Sequence, residues 1–213
     1  MRTIWIARHG HREDCVPDER GRNWHKTAKR PYDPALSERG VRQVQELAQR
    51  LLKEGPQIAH VFASPFLRTV QSAHLATEPM GLPIKIEHGI CEWLNPEWFK
   101  TAPDCLPPSE LAQRYPRVDL KYRTRVDPVY PEHDEAKHVW PRVKRTMDRL
   151  LDEFEGDLLL IGHGSSTTGM VEALAGPGTS FEAAMCALTS ATQAQDGKWQ
   201  LRDKACVRHL SEP

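Results

Sequence analysis

The residues best suited to chemistry form a basic cluster near the N-terminus. Arg8, His9 and Arg12 directly follow an apolar run at residues 4–7, and Gly10 lies among them. An imidazole is a nucleophile or proton carrier at neutral pH, and the planar donor groups of arginine match the oxygens of phosphate or carboxylate. Gly10 allows a sharp turn or a close approach of the backbone to a ligand. The cluster predicts an anion site beside a histidine, and the alternative is a basic, solvated turn after a strand.

Three later residues could contribute to the same site. The apolar run 157–162 ends directly before His163, and Arg68 falls in the first turn of a predicted helix. The start of a helix binds anions through its free N–H groups, although the helix dipole disfavours a cation there. Glu92 has an apolar residue on each side, which is an unusual position for a carboxylate unless it faces a pocket. We expect these side chains to join the first cluster.

Strand and helix patterns alternate along the chain. Apolar runs predict strands at residues 4–7, 59–63, 82–86 and 157–162. Amphipathic helices are predicted after Ser37, after Ser64-Pro65, at 136–154 and at 165–175, with a shorter piece near 110–115. The dipeptide Asp196-Gly197 predicts a hairpin between 185–191 and 199–202. This order predicts an α/β fold: a three-layer α/β/α sandwich with a mostly parallel central sheet and a hairpin at one edge. Ligands of such sheets bind at the carboxyl ends of the strands, which is where the candidate residues lie.

Two segments interrupt this pattern. Residues 13–34 are polar and predicted to be irregular, either as a lid or specificity loop or as a disordered excursion. Residues 96–133 are rich in proline and charge, and they have too few apolar residues for a core of their own. We therefore expect one domain, 1–213, with an irregular insertion at about 96–133. The side chains of Trp24, Trp93 and Trp98 either stack on a substrate ring or belong to the core.

Composition excludes several classes of protein. Lysine plus arginine equals aspartate plus glutamate at 29 each, so the net charge of zero argues against a nucleic-acid or membrane-surface binder. No apolar run approaches the roughly 20 residues of a membrane span. The start of the chain has no signal-peptide pattern, and the five cysteines are scattered without a CxxC pair. We expect a cytoplasmic protein with free thiols, no membrane association and no metal site.

Four motifs occur in a characteristic order: Arg8-His9-Gly10-His11-Arg12, Leu36-Ser37-x-x-Gly40, Ser64-Pro65-x-x-Arg68-Thr69 and Gly162-His163-Gly164. In this order the chain resembles the histidine phosphatase superfamily, branch 1, over nearly its whole length. That resemblance implies a phosphoglycerate mutase-like fold. The pair Glu92-Trp93 most resembles the Sts/TULA-type phosphatases.

The resemblance implies metal-independent hydrolysis of phosphomonoesters, with His9 as the nucleophile that becomes phosphohistidine. It also implies that Glu92 protonates the leaving group and then activates water. The phosphoryl oxygens would be held by Arg8, Arg12, Arg68 and His163. No cofactor and no metal are implied. The expected partner is a small phosphorylated substrate or a phosphopeptide, and a homodimer is a reasonable oligomeric state for the family.

Two alternatives use the same pocket. A phosphoglycerate or sugar-phosphate mutase would exclude water from the phosphohistidine. However, the sequence His11-Arg12-Glu13-Asp14 departs from the mutase pattern of Glu or Gln followed by Ser or Thr, and this favours hydrolysis. The role of His11 stays open. A non-catalytic phospholigand-binding module is the second alternative. The chain has a candidate nucleophile, candidate phosphate-binding residues and a candidate acid, and their joint presence argues against this alternative.

Overall fold

A six-stranded sheet forms the centre of the molecule. The computed structural model describes residues 2–54, 57–179 and 181–212. The strands are β1 (Thr3–Arg8), β2 (Ile58–Ala63), β3 (Ile84–Ile86), β4 (Asp157–Gly162), β5 (Leu188–Gln193) and β6 (Trp199–Cys206). Their order is β3-β2-β4-β1-β5-β6. Strands β1 to β4 are parallel to one another. Strand β5 pairs antiparallel with β1, and β6 pairs antiparallel with β5. The predicted mostly parallel sheet with a hairpin at one edge is confirmed.

Helices cover both faces of the sheet. They are α1 (Glu19–Thr27), α2 (Glu38–Glu54), α3 (Leu67–Ala76), α4 (Pro108–Arg114), α5 (Trp140–Glu153) and α6 (Gly164–Ala175). A π-helical turn, Glu135–Val139, leads into α5, and short 3-10 turns lie at Glu13–Cys15, Glu78–Met80 and His88–Ile90. Helix α2 begins where its cap predicts, because the Ser37 hydroxyl accepts a hydrogen bond from the Gly40 N–H at 3.1 Å.

The alternation of side chains along β1 explains the three layers. Trp5 and Ala7 belong to one buried core with the apolar faces of α2 and α3. Ile4 and Ile6 belong to a second core with the apolar faces of α5 and α6. Successive side chains of a strand point to opposite faces of its sheet, so β1 lies between the two helical layers and is buried from both sides. The predicted α/β/α sandwich is confirmed.

Strand register brings three chain segments to one level at the carboxyl edge of the sheet. Arg8 of β1 pairs with Gly162 of β4, so the residues that follow, His9 and His163, leave the sheet together. The His9 N–H donates to the Gly162 carbonyl at 3.1 Å. Directly after β2, the Ser64 N–H donates to the Ile161 carbonyl at 3.1 Å. This edge is therefore where a site can be assembled from residues far apart in sequence.

The prediction that residues 13–34 are irregular was wrong in part, because they contain α1. The Asp18 side chain caps this helix by accepting a hydrogen bond from the Gly21 N–H at 3.1 Å. Gly21 is the buried residue of α1, so the helix shows no apolar stripe in the sequence. Its N-cap was the available signal.

Residues 96–133 extend the sheet edge and contribute buried side chains to the core. Val118 forms a bridge beside Ile84 of β3, and Leu106 and Leu111 are buried in the core that contains α2 and α3. That the chain forms a single domain stays a prediction. In the part of the chain that the structure describes, no helix has the length and apolar character required to cross a membrane.

Candidate active site

The carboxyl edge of the sheet brings together all six residues that the sequence singled out. The rings of His9 and His163 lie edge to face, with centroids 5.2 Å apart. Arg8, Arg12, Arg68 and Glu92 line a cavity of about 570 Å³ above them. The two imidazoles lie beneath this layer of charged side chains and have no exposed surface.

His9 has one committed and one uncommitted ring nitrogen. Its Nδ1 lies 2.7 Å from the carbonyl oxygen of Gly10, so Nδ1 carries the proton and donates to that carbonyl. Its Nε2 then holds a lone pair, and it has no hydrogen-bond partner among the described residues. Burial, and next the positive charge of Arg68, lower the pKa of His9 well below its ordinary value. The ring is therefore neutral near pH 7, which is the form a nucleophile requires.

Both nitrogens of His163 are engaged. Its Nδ1 accepts from a guanidinium N–H of Arg68 at 3.1 Å. The proton therefore lies on Nε2, which donates to the Ser64 hydroxyl at 2.7 Å. Its backbone N–H donates to the Ser166 hydroxyl at 2.9 Å, at the start of α6. Burial, followed by the charge of Arg68, lowers the pKa of His163 well below its ordinary value.

Arg68 lies between the two imidazoles and two carboxylates. Its side chain is 2 % exposed, and its Nη2 lies 3.6 Å from Glu92 Oε2, while Nη1 lies 4.0 Å from Asp33 Oδ1. The Nε and Nη1 groups of Arg68, and Nε of Arg8, form no hydrogen bond within the described residues. Buried N–H donors are rarely left unpaired in proteins. A tetrahedral oxyanion at this point would accept from several of them at once.

Glu92 faces the site, as predicted from its position between apolar neighbours. Its Oε2 lies 3.4 Å from His163 Nδ1, and its Oε1 accepts from the backbone N–H of Trp93 at 3.1 Å. The side chain is 12 % exposed and lines the cavity. A carboxyl group there can exchange a proton with whatever enters from the open side.

Sequence reasoning missed three groups that hold these residues. Asp14 accepts from Arg12 through two hydrogen bonds of 2.8 and 2.5 Å and lines the cavity. The buried Asp33 lies behind Arg68 and accepts from the Leu67 N–H, and burial raises its pKa to about 6. Ser64 follows β2 as His163 follows β4, and this shared position was the signal for it. Asp14 and Asp33 lie in the segment 13–34, where no pattern of residues distinguishes them from solvated carboxylates.

His11 lies outside the cavity lining and has a structural role. Its Nδ1 lies 2.8 Å from the Ser37 hydroxyl, and its backbone N–H donates to Gln43 Oε1 at 2.9 Å. These contacts tie the end of β1 to the start of α2.

Aromatic side chains form one wall of the cavity. Trp93 and Trp98 contact each other with ring centroids 5.1 Å apart, and Tyr32 and Phe99 continue the wall. Trp98 is 55 % exposed, so its ring is accessible to a ligand. Trp24 lies elsewhere and donates through Nε1 to the carbonyl of Pro31 at 3.0 Å.

Three of the site residues have the donor types of a metal site. Ligand atoms of His9, Glu92 and His163 lie within 4.8 Å of one another. The neighbouring guanidiniums of Arg8, Arg12 and Arg68 repel a cation, and Nδ1 of His163 already accepts from Arg68. This donor set fits an oxyanion better than a metal ion.

Comparison with known proteins decides the family. The model of the histidine phosphatase superfamily (branch 1) matches residues 4–206. The chain belongs to this superfamily. The histidine phosphatase resemblance stated from the four motifs is confirmed.

Relatives of this chain include much longer proteins. Ecdysteroid-phosphate phosphatase of Drosophila melanogaster is 28 % identical over 257 residues, which cover 100 % of this chain and 33 % of that protein. Human ubiquitin-associated and SH3 domain-containing protein A is 31 % identical over 156 residues, covering 68 % of this chain and 23 % of that protein. The chain thus spans a third or less of these curated relatives, which include the predicted Sts/TULA type.

Solved structures confirm the phosphoglycerate mutase-like fold. The crystal structure of the ecdysone phosphate phosphatase of Bombyx mori with tungstate superposes with a TM-score of 0.76 at 21 % identity, covering 97 % of this chain and 93 % of that one. Mycobacterial glucosyl-3-phosphoglycerate phosphatase superposes with a TM-score of 0.64 at 18 % identity, covering 97 % and 100 %.

Proposed function

We propose that this histidine phosphatase hydrolyses phosphomonoesters without a metal, through a phosphohistidine on His9. One observation carries the proposal. The buried, neutral imidazole of His9 has an Nε2 without a hydrogen-bond partner among the described residues, and the nearby guanidiniums of Arg68 and Arg8 have N–H groups without acceptors there. A lone pair among cations suits attack on a phosphate ester, whose negative charge would otherwise repel a nucleophile.

In the first step, His9 Nε2 attacks phosphorus in line with the leaving oxygen. The phosphorus–oxygen bond breaks as the phosphorus–nitrogen bond forms, and Glu92 gives its proton to the leaving oxygen. Charge on the phosphoryl oxygens is offset by Arg8, Arg12, Arg68 and His163. His163 takes up a proton at Nδ1 when the anion draws Arg68 away, because Nε2 keeps its bond to Ser64.

In the second step, Glu92 acts as a base. It removes a proton from a water molecule, whose oxygen attacks the phosphohistidine and releases inorganic phosphate. His9 recovers its lone pair. The side chain of Glu92 lines the cavity and is partly exposed, so it is accessible to a leaving group and to water, which supports the two successive roles.

The expected substrate is a small phosphorylated molecule or a phosphopeptide. The wall of Trp93, Trp98, Tyr32 and Phe99 favours an ester whose alcohol or phenol carries an apolar ring. The steroid phosphate in the name of the insect relative is one molecule of that kind. With a balanced net charge, we expect no nucleic-acid partner. Five free cysteines support a cytoplasmic location, and a homodimer is proposed from the family alone.

The proposal is tested with p-nitrophenyl phosphate in the presence of EDTA. We expect hydrolysis by the wild type and none by His9→Ala, while the matched control His11→Ala, which removes an imidazole outside the cavity, stays active. Equal rates for wild type and His9→Ala would contradict the proposal. With 3-phosphoglycerate, release of free phosphate supports hydrolysis, and formation of the isomer without phosphate would indicate a mutase. Binding of a phosphopeptide without turnover of any ester would indicate a binding module.

A further inference from the structure

The segment that carries Glu92 has no regular secondary structure. It follows the 3-10 turn His88–Ile90, and residues 91–95 form neither helix nor strand. Strands fix His9 and His163, and a helix fixes Arg68, but the backbone around Glu92 lacks such a framework. A proton donor must nevertheless be held within fractions of an ångström of the leaving oxygen.

Arg142, at the start of α5, supplies a substitute framework. Its side chain is 2 % exposed. Its Nη1 donates to the carbonyls of Gly89 at 2.9 Å and Cys91 at 3.3 Å, and its Nη2 donates to the carbonyl of Glu92 at 3.3 Å. One guanidinium thus binds the backbone at and before the candidate acid.

Glu132, which is also buried, holds the other side of the same segment. Its carboxylate accepts two hydrogen bonds from the Arg142 guanidinium, at 2.7 and 3.0 Å. Its Oε2 also accepts from the Leu94 N–H at 2.9 Å, and its backbone carbonyl accepts from Trp93 Nε1 at 2.7 Å. The pair therefore brackets Glu92 on both sides in sequence.

We propose that the buried ion pair of Arg142 and Glu132 positions Glu92 as the proton donor, an inference that rests on the proposed function of Glu92. Buried ion pairs add little net stability, because desolvation offsets their attraction. This pair directs its remaining donors and acceptors to one short segment, and that segment carries the acid. Neither Arg142 nor Glu132 is among the residues that line the cavity, so each acts through the Glu92 segment and is a positioning residue.

The test uses the leaving group as its readout. The value of kcat/KM reports the phosphorylation step, and a good leaving group such as p-nitrophenolate departs without a proton, whereas a simple alkoxide needs one. For Arg142→Met we expect kcat/KM to fall about 10²-fold with an alkyl phosphate and to change little with p-nitrophenyl phosphate. Glu92→Gln should show the same preference more strongly. Adding Arg142→Met to Glu92→Gln should cause little further loss, because both changes remove one function.

A matched control separates positioning from stability. Arg117 is half-buried and, like Arg142, donates to backbone carbonyls, here those of Thr77 and Leu82, away from Glu92. Arg117→Met should affect both substrates equally. If Arg142→Met does not fold, Arg142→Lys replaces it in the test. This variant keeps the charge but loses the planar set of donors, so it should show the same substrate preference with a smaller difference in kcat/KM.

Two negative results have different meanings. One result is that the Arg142 variants lose kcat/KM equally on both substrates, while Glu92→Gln still loses more on the alkyl phosphate. The ion pair is then merely structural, and the inference is overturned. If Glu92→Gln itself loses equally on both substrates, Glu92 is not the proton donor, and the proposed mechanism fails at that point.

Discussion

Two strand ends of this protein look alike and are chemically different. β1 and β4 are neighbouring parallel strands, and each is followed at the same level by a histidine and a glycine. His9 binds its own backbone through Nδ1 and leaves Nε2 unpartnered. His163 uses both nitrogens, one toward Arg68 and the other toward Ser64. The surrounding hydrogen bonds, rather than the residue type, decide which ring can act as a nucleophile.

Arg68 links the two histidines electrostatically. After burial, its charge is the largest cause that lowers the pKa of either ring. Both rings are therefore neutral in the free protein, but His9 offers a lone pair while His163 must gain a proton before Nδ1 can donate. An incoming oxyanion would supply the reason for that proton. The same environment thus prepares one ring to attack and the other to bind.

Replacing each histidine by alanine should have the largest effect and should separate their roles. We expect His9→Ala to lower kcat/KM by about 10⁴-fold or more, as for loss of a nucleophile. We expect His163→Ala to cost about 10²- to 10³-fold, as for loss of one group that stabilises the transition state. Steady-state kinetics with p-nitrophenyl phosphate measures both. Equal losses would mean that the two strand ends are not different in function.

Removing the partner of His163 should have a smaller effect. Ser64→Ala leaves the Nε2–H of His163 buried without an acceptor, which costs about 1–3 kcal/mol. If that cost falls on the protonated ring in the transition state, kcat/KM falls about tenfold to a hundredfold. Ser190→Ala removes another buried hydroxyl, bonded to Asp203 and distant from the site, and serves as the control. An activity loss in the control but not in Ser64→Ala would contradict the role given to Ser64.

The pH dependence should distinguish the two histidines least, because the pKa of both is lowered by the same causes. Burial and Arg68 lower the pKa of both histidines, so the acid limb of kcat/KM lies below the ordinary value of about 6.5. Arg68→Gln should raise both pKa values, which NMR titration of the rings can follow. The free energy of unfolding should also fall as the pH drops below 6.5, since the unfolded chain then binds protons that the buried rings do not. Rings that titrate at or above 6.5 in the wild type would contradict this.

Much of this site could be predicted from sequence because of the sheet. Arg8, His9 and His163 follow apolar strands, and the carboxyl ends of parallel strands meet at one edge. Their position needed no knowledge of long-range packing. The same logic placed Arg68 after β2, and the apolar neighbours of Glu92 indicated that its carboxylate faces a pocket.

The supporting residues could not be predicted in the same way. Arg142 and Glu132 lie about 40 to 50 residues from the segment they hold, and a buried ion pair leaves no periodic signal. α1 was missed because its surface position removes the apolar stripe. Asp14 lies only two residues from Arg12, but a single acidic residue in a polar segment is indistinguishable from a solvated one. Sequence periodicity reports burial of apolar faces, so it fails where polar groups are buried in pairs.

The phosphorylated residue is the most direct test of the central claim that His9 alone is the nucleophile. In Glu92→Gln, p-nitrophenol should leave normally while attack by water is slowed, so the phosphoenzyme should accumulate after a burst of p-nitrophenol. Quenching in base, which preserves phosphohistidine, followed by peptide mass spectrometry identifies the residue. We predict one phosphoryl group on His9. A phosphoryl group on His163, or a burst without any phosphoenzyme, would contradict the account.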